Sequence, residues 1–199
     1  MLNVHSFLAS TEALGPNKRF ALWTQGCVFD CPGCMSKKTH DINCGKKFKI
    51  KELVQIILAS KDIEGLTISG GEPFLQAKKL LELVTQVKRD RDLGIIIYSG
   101  YTFKELQYIN SVSRELLQNI DILIDGRYEA EWNDNVSLRG SSNQKVYLLS
   151  NRYKDVYEKY YESYQRKIEI YMQEDGVEIV GVPKKSTLSK IRDIVRRNN

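Results

Sequence analysis

Three short apolar runs, each closed by glycine, constrain this chain more than any other feature. Leu66-Thr-Ile-Ser69 stops at Gly70-Gly71, Ile95-Ile-Ile-Tyr98 at Ser99-Gly100, and Ile120-Asp-Ile-Leu-Ile124 at Asp125-Gly126. A fourth β-prone run, Arg19 to Gln25, leads straight into a cluster of cysteines. Continuous apolar character, as in Ile95 to Tyr98, is what a strand covered on both faces of a parallel sheet requires. The segments between the runs have helical spacing instead. Ile50, Leu53, Val54, Ile57 and Leu58 mark a helix within Phe48 to Ser60, and Leu80, Leu81, Leu83, Val84 and Val87 mark one within Leu75 to Arg89. Thr102 to Leu117 carries one helix or two. Strand, loop and helix thus repeat about four times, which predicts an α/β fold with a parallel sheet or a partial (β/α) barrel. Such folds collect their chemistry in loops at the carboxyl ends of the strands, and the unusual residues of this chain lie there.

The last third reads differently. Val146 to Leu149 has strand character and Tyr153 to Tyr164 is a tyrosine- and charge-rich helical stretch. Ile168 to Met172 and Val177 to Val180 form the arms of a hairpin turning at Asp175-Gly176. A final helix over Ser186 to Arg197 has Leu188, Ile191, Ile194 and Val195 as its stripe. At 199 residues the chain fits one domain over residues 1–150, with 151–199 as an extension packed on it. No apolar run approaches the ~20 residues needed to span a bilayer, and Met1 to Ser10 lacks the basic start of a signal peptide. A cytoplasmic protein is expected, with no membrane partner. The net charge of +5 is scattered, from Lys46, Lys47, Lys49 and Lys51 to Arg192, Arg196 and Arg197. It reads as solvated surface, and no nucleic-acid partner is expected.

All four cysteines fall between Cys27 and Cys44, which favours metal or redox chemistry over a disulfide framework. Cys27-Val-Phe-Asp-Cys31-Pro-Gly-Cys34 is a C-x3-C-x2-C triplet. Three thiolates at this spacing can wrap one corner of a [4Fe–4S] cluster; four are usual, so three leave one iron open to another ligand. Two other readings stand beside this one. Cys44 can complete a four-cysteine zinc site, though only Cys31 and Cys34 form the usual C-x2-C hook. The thiols can also be unrelated buried residues.

The triplet after one strand and Gly70-Gly71-Glu72-Pro73 after the next resemble the radical S-adenosylmethionine superfamily. Tyr98-Ser-Gly-Tyr-Thr-Phe103, Ile124-Asp-Gly-Arg-Tyr128 and Leu138-Arg-Gly-Ser-Ser-Asn-Gln144 narrow the resemblance to the activating enzymes of anaerobic ribonucleotide reductases, over roughly residues 15 to 150. The resemblance implies a partial (β/α) barrel of the radical S-adenosylmethionine type. It also implies a [4Fe–4S] cluster on Cys27, Cys31 and Cys34, with S-adenosylmethionine as the second cofactor. Gly70, Gly71 and Glu72 would hold its methionine end, while Gly33 and Met35 flank the adenine position. A large glycyl-radical enzyme, the anaerobic ribonucleotide reductase, is the implied partner, with a flavodoxin-type or similar electron donor.

The remaining polar residues carry less information. Ser99 fits a hydroxyl bonding a ribose or carboxylate oxygen, or a turn residue before Gly100. Asp125 fits a carboxylate bonding ammonium or ribose, or a helix cap. Arg139 and Asn143 are weaker binding candidates. Cys44, His5 and His40 have no assigned role, and Trp23 and Trp132 read as core or interface aromatics. Two rival functions remain from the sequence. One is a radical enzyme acting on a small molecule or peptide; the other is a non-enzymatic zinc or iron–sulfur regulatory module.

Overall fold

The computed structural model describes residues 1–162, 166–173 and 176–197, and its centre is a seven-stranded mixed sheet. Four strands follow the four apolar runs: β2 (Arg19–Thr24), β4 (Gly65–Gly70), β5 (Gly94–Tyr98) and β6 (Ile122–Asp125). They lie side by side and parallel, with Trp23 opposite Ser69 and Ile68 opposite Ile97. The sheet is extended by antiparallel edges. β1 (Leu2–Thr11) pairs with β2 and with β3 (Lys46–Phe48), and β7 (Lys145–Leu148) pairs with β6. The α/β reading holds.

Neither β1 nor β3 was legible from pattern. β1 changes register between Val4 and Ser6 and between Leu8 and Thr11, which breaks the period-2 signal. β3 is a three-residue strand beginning with two lysines, so it reads as surface charge. Phe48, read as the start of a helix, is its last residue, and α1 spans Ile50–Ala59. A 3-10 turn at Pro73–Gln76 precedes α2 (Ala77–Asp90). Thr102 to Leu117 resolves into two helices, α3 (Phe103–Ile109) and α4 (Ser111–Gln118). The side chains of Thr102 and Asn110 cap them by accepting from the backbone N–H three residues on.

Alternation along the parallel strands sorts their side chains onto two faces. Phe20, Leu22, Leu66, Ile68, Ile95, Ile97 and Leu123 point to the outer face, where they meet the apolar sides of α1, α2 and α4 in the main core. The inner face carries Arg19, Ala21, Trp23, Thr67, Ser69, Ile96, Tyr98, Ile122 and Ile124. Parts of the chain after β7, around α5 (Lys154–Glu162) and the hairpin β8 (Glu169–Gln173) and β9 (Gly176–Val180), cover part of it, and α6 (Lys185–Arg197) follows them in the chain. Tyr153 and Tyr157 pack on Ile96, Ile122 and Ile124, while Val180 and Tyr171 pack with Ala13, Leu14 and Ala21. The hairpin has the antiparallel pairing read from sequence, but Asp175 of its turn lies outside the described residues.

The amino ends of the parallel strands are closed by an ion cluster built around one buried arginine. Arg19, fully buried, donates to Glu64 Oε2 at 2.8 Å, Tyr153 Oη at 2.7 Å, Thr67 Oγ1 at 2.7 Å and the Gly94 carbonyl at 2.7 Å. Tyr153 donates in turn to Glu64 at 2.6 Å, and Arg152 joins Glu64 to Asp92. A buried guanidinium is tolerable only when paired and hydrogen-bonded in this way. The opposite, carboxyl end of the strands is left to the loops. Among the described residues, no helix is long and apolar enough to cross a membrane.

Candidate iron–sulfur site

Two loops meet at the carboxyl ends of β2 and β4. The first contains the cysteines; the second is Gly70-Gly71-Glu72-Pro73. Gly71 N–H donates to the Thr24 carbonyl at 2.9 Å, and Glu72 N–H donates to the Gly26 carbonyl at 2.8 Å. The contact leaves no room for side chains. A Cβ on Gly71 would stand 2.1 Å from the Gly26 carbonyl oxygen, and Gly70, at φ +110°, would place one 2.4 Å from Thr24 backbone atoms. The glycine pair therefore locks the start of the cysteine loop against the end of β4.

Above this junction lies a cavity of about 140 Å³ whose wall includes Cys27, Cys31, Cys34, Gly70, Gly71 and Glu72. Ser99, Met35, Phe29, Tyr128 and Gln144 complete much of the rest. The three thiols are free and half-buried, whereas Cys44 is exposed, bonds the Asp41 carboxylate at 3.2 Å and is absent from the cavity wall. Burial pushes the Cys27 and Cys34 thiols up, so thiolates at these positions would need a neighbouring cation to be stable. Among the described residues, no three His, Cys, Asp or Glu side chains are grouped so as to hold a metal ion. Cys27, Cys31 and Cys34 nevertheless line one shared space, and Cys44 is not part of its wall.

Glu72 is buried, 1% exposed, and its carboxylate is fully engaged. Oε1 accepts from Phe74 N–H at 2.9 Å and from Ser99 Oγ at 2.9 Å, and Oε2 accepts from Gly100 N–H at 2.7 Å. Burial pushes its pKa up to about 7 against the pull of those three donors. Glu72 thus ties the second loop to the third. Ser99 meets Glu72, and Asp125 accepts from Phe103 N–H at 2.5 Å and Lys145 N–H at 3.2 Å. Ser99 also lies on the cavity wall, whereas Asp125 does not.

The cysteine loop is also held from its far side. Phe29, between Cys27 and Cys31, packs edge-on against Tyr101 with centroids 4.8 Å apart, and the Arg127 guanidinium lies 4.7 Å over its ring. Gly100 permits this approach, since a Cβ there would meet the Phe29 ring at 2.5 Å. Gly33 faces Ala130, and Met35 is 40% exposed on the cavity rim. Arg139 pairs with Asp134, and Asn143 donates to the Arg127 carbonyl at 2.8 Å, so neither is among the cavity-lining residues.

A family model described as a 4Fe–4S single cluster domain matches residues 13–147. The chain belongs to this family. Among its relatives, the anaerobic ribonucleoside-triphosphate reductase-activating protein of Vibrio cholerae serotype O1 is 33% identical over 157 residues, covering 75% of this chain and 99% of the relative. The protein of the same description from Pasteurella multocida is 37% identical over 147 residues, covering 68% and 90%. That of Escherichia coli K12 is 31% identical over 156 residues, covering 74% and 99%. These relatives are matched over 90–99% of their length while a quarter to a third of this chain is left over, and the family match stops at Tyr147, ahead of α5.

Phe29, Tyr128, Gly140 and Gln144 join the cavity without having been singled out. Tyr128, Gly140 and Gln144 sit inside segments that carried the resemblance, so their region was marked although their roles were not. Gln144 works as a staple: Oε1 accepts from Gly140 N–H at 2.8 Å and Nε2 donates to the Gly126 carbonyl at 2.7 Å. Phe29 had only its place between two cysteines to signal it. His40 also reaches the cavity wall, whereas His5 bonds Gln25 at 2.9 Å.

Proposed function

We propose that this protein is a radical S-adenosylmethionine enzyme that installs a glycyl radical on an anaerobic ribonucleotide reductase. The observation that carries the reading is the cavity at the ends of β2 and β4, which brings Cys27, Cys31 and Cys34 to the same wall as Gly70, Gly71 and Glu72. Its donor set fits a [4Fe–4S] cluster, and the membership in a 4Fe–4S single cluster family supports that fit. The relatives' description as reductase-activating proteins supports the choice of target. The parallel strands and their helices serve as a partial (β/α) barrel of the radical S-adenosylmethionine type, closed at its amino end by the Arg19 cluster. An electron donor of the flavodoxin type supplies the reducing equivalent.

When bound, the cluster and S-adenosylmethionine supply one-electron reductive cleavage to methionine and a 5′-deoxyadenosyl radical, which takes a hydrogen atom from the target. The residues of the chain do the positioning. Cys27, Cys31 and Cys34 would hold the cluster, and three thiolate ligands would leave it a position open to a further ligand. Gly70 and Gly71 present backbone without side chains to the methionine end, and Glu72 fixes that backbone relative to Ser99 and Gly100. Met35 offers a soft apolar contact at the adenine side. Phe29, clamped by Tyr101 and Arg127, keeps the cysteine loop from opening to water.

The test is anaerobic incubation of the iron-loaded protein with S-adenosylmethionine, a reductant and the reductase encoded in the same genome. An electron-spin doublet of a carbon-centred glycyl radical on the reductase is the expected result. Its absence alongside normal S-adenosylmethionine cleavage would redirect the activity to another substrate.

A further inference from the structure

The segment after the third cysteine is strongly one-sided in charge. From Lys37 to Lys49 it holds five lysines, Lys37, Lys38, Lys46, Lys47 and Lys49, against one acid, Asp41. All five lysines are exposed, and among the described residues none is in a salt bridge. The Asp41 carboxylate is turned into its own loop, where it accepts from Asn43 N–H at 2.9 Å and from Cys44 Sγ at 3.2 Å. Lysines on an edge strand such as β3 keep other strands from pairing with it. Lys37 and Lys38 lie on a 3-10 turn that has no such edge, so strand protection does not account for the group.

Between the two lysine groups the chain backs directly onto the first cysteine. Gly26 N–H donates to the Thr39 carbonyl at 2.8 Å, and Cys27 N–H donates to the His40 carbonyl at 3.0 Å. Two side-chain amides hold the loop in place. Gln25 Nε2 donates to the carbonyls of Lys38 at 3.2 Å and Asp41 at 2.8 Å, and Asn3 Nδ2 to those of Ile42 at 3.3 Å and Cys44 at 3.0 Å. Asn3 lies opposite Lys47 in the β1–β3 pair, so the loop and the lysines of β3 adjoin. Ile42 is 65% exposed, and a Cβ on Gly26 would meet its Cγ1 at 3.3 Å. One layer of chain thus separates Cys27 from the exterior here. Ile42, Lys46 and Lys47 line neither the cysteine cavity nor the larger one, of about 750 Å³, on the inner face of the sheet.

We propose that residues 37–49 form the docking face for an acidic electron-transfer protein, which delivers one electron through this loop to the site at Cys27. The inference rests on the function proposed above and gives its reductant a place on the surface. The carrier is oxidised by one electron and the iron–sulfur group at the cysteines is reduced by one; no bond or proton moves at this face. The chemistry keeps the two partners apart. A hydrogen atom is taken at contact distance, so the target has to enter the cavity, whereas an electron crosses a thin wall and its carrier need only sit behind that wall. An exposed apolar side chain flanked by lysines suits the small, weak interfaces of electron carriers, in which opposite charge steers and orients the encounter.

Binding of a purified acidic flavodoxin and of an acidic ferredoxin to the iron-loaded protein, at low and high ionic strength, tests this. Lys46→Glu/Lys47→Glu is expected to raise the Kd about ten-fold or more at low ionic strength, and added salt to weaken binding to the unaltered protein. Lys61→Glu/Lys154→Glu makes the same change of net charge at exposed positions near the amino end of the sheet, and should leave Kd within about two-fold. Formation of 5′-deoxyadenosine driven by the carrier should slow as Kd rises, while that driven by dithionite stays within about two-fold. Thermal unfolding and iron content identify a misfolded variant; if the β3 pair is one, Lys37→Glu/Lys38→Glu decides. A Kd unmoved by the substitutions, a loss matched by the amino-end pair, or no binding of either carrier overturns the docking face and leaves the function standing. A raised KM for the reductase with Kd for the carrier unmoved gives the lysines to the target and also overturns it. An unaltered, iron-loaded protein that forms no 5′-deoxyadenosine with dithionite overturns both.

Discussion

At the scale of single residues, the site depends on side chains that are absent or fully engaged. Gly71 has the Gly26 carbonyl where its Cβ would be, 2.1 Å away, and the obstacle is backbone. Gly71→Ala must therefore separate the two loops. It is expected to lose at least about 2 kcal/mol of stability, the upper part of the usual overpacking range, with most of the bound iron. Denaturant unfolding and iron analysis check both. Glu72 makes a pH prediction. Burial holds its folded pKa near 7, above the ordinary 4.5 of a glutamate, so the folded state binds the proton more tightly. Its contribution to stability is complete below about pH 4.5 and is lost as pH rises through 7, a difference on the order of 3 kcal/mol. Glu72→Gln is expected to flatten the fall in stability of the iron-free protein between pH 5 and 7, while lowering stability because an amide cannot accept from all three donors. An unchanged slope would mean that Glu72 titrates normally. The cysteines divide just as sharply: Cys34→Ala should lose the cluster absorbance, and Cys44→Ala should keep it, since Cys44 lies apart on the surface.

At the scale of elements, the amino end of the sheet is held by one guanidinium. Arg19 joins β2, β4, β5 and the start of the extension through Thr67, Leu66, Gly94 and Tyr153. Arg19→Met would leave several buried acceptors without donors and is expected to cost about 3–5 kcal/mol in denaturant unfolding. Tyr153→Phe removes one link of the chain from Arg19 to Glu64 and should cost about 1–2 kcal/mol. The parallel strands were readable because each is a short apolar run ending at glycine, and α1, α2 and the pair α3–α4 because their buried positions recur at helical spacing. β1 was not, since its register shifts twice, and β3 was not, because two of its three residues are lysines. The site was readable where identity is demanded by chemistry, at the cysteines and Gly70–Glu72. It was unreadable where a common residue acquires meaning from a distant partner, as Phe29 does from Arg127 and Gly100.

At the scale of the molecule, the two ends of the parallel strands have opposite tasks. The amino end is sealed by the buried Arg19 and the groups bonded to it, and the carboxyl end is left to loops that hold thiols and glycines around an open space. The inner face between them is partly covered by a C-terminal segment that lies beyond the family match. Stability and chemistry are thereby assigned to different edges of one sheet, the division common to α/β folds. Under the proposed function, the carboxyl-end cavity generates a radical from S-adenosylmethionine. The most direct measurement is 5′-deoxyadenosine formed by anaerobically reconstituted protein with dithionite. Formation together with methionine in equal amounts, abolished by Cys34→Ala and retained by Cys44→Ala, is the result predicted. No 5′-deoxyadenosine from protein carrying a full complement of iron would contradict it.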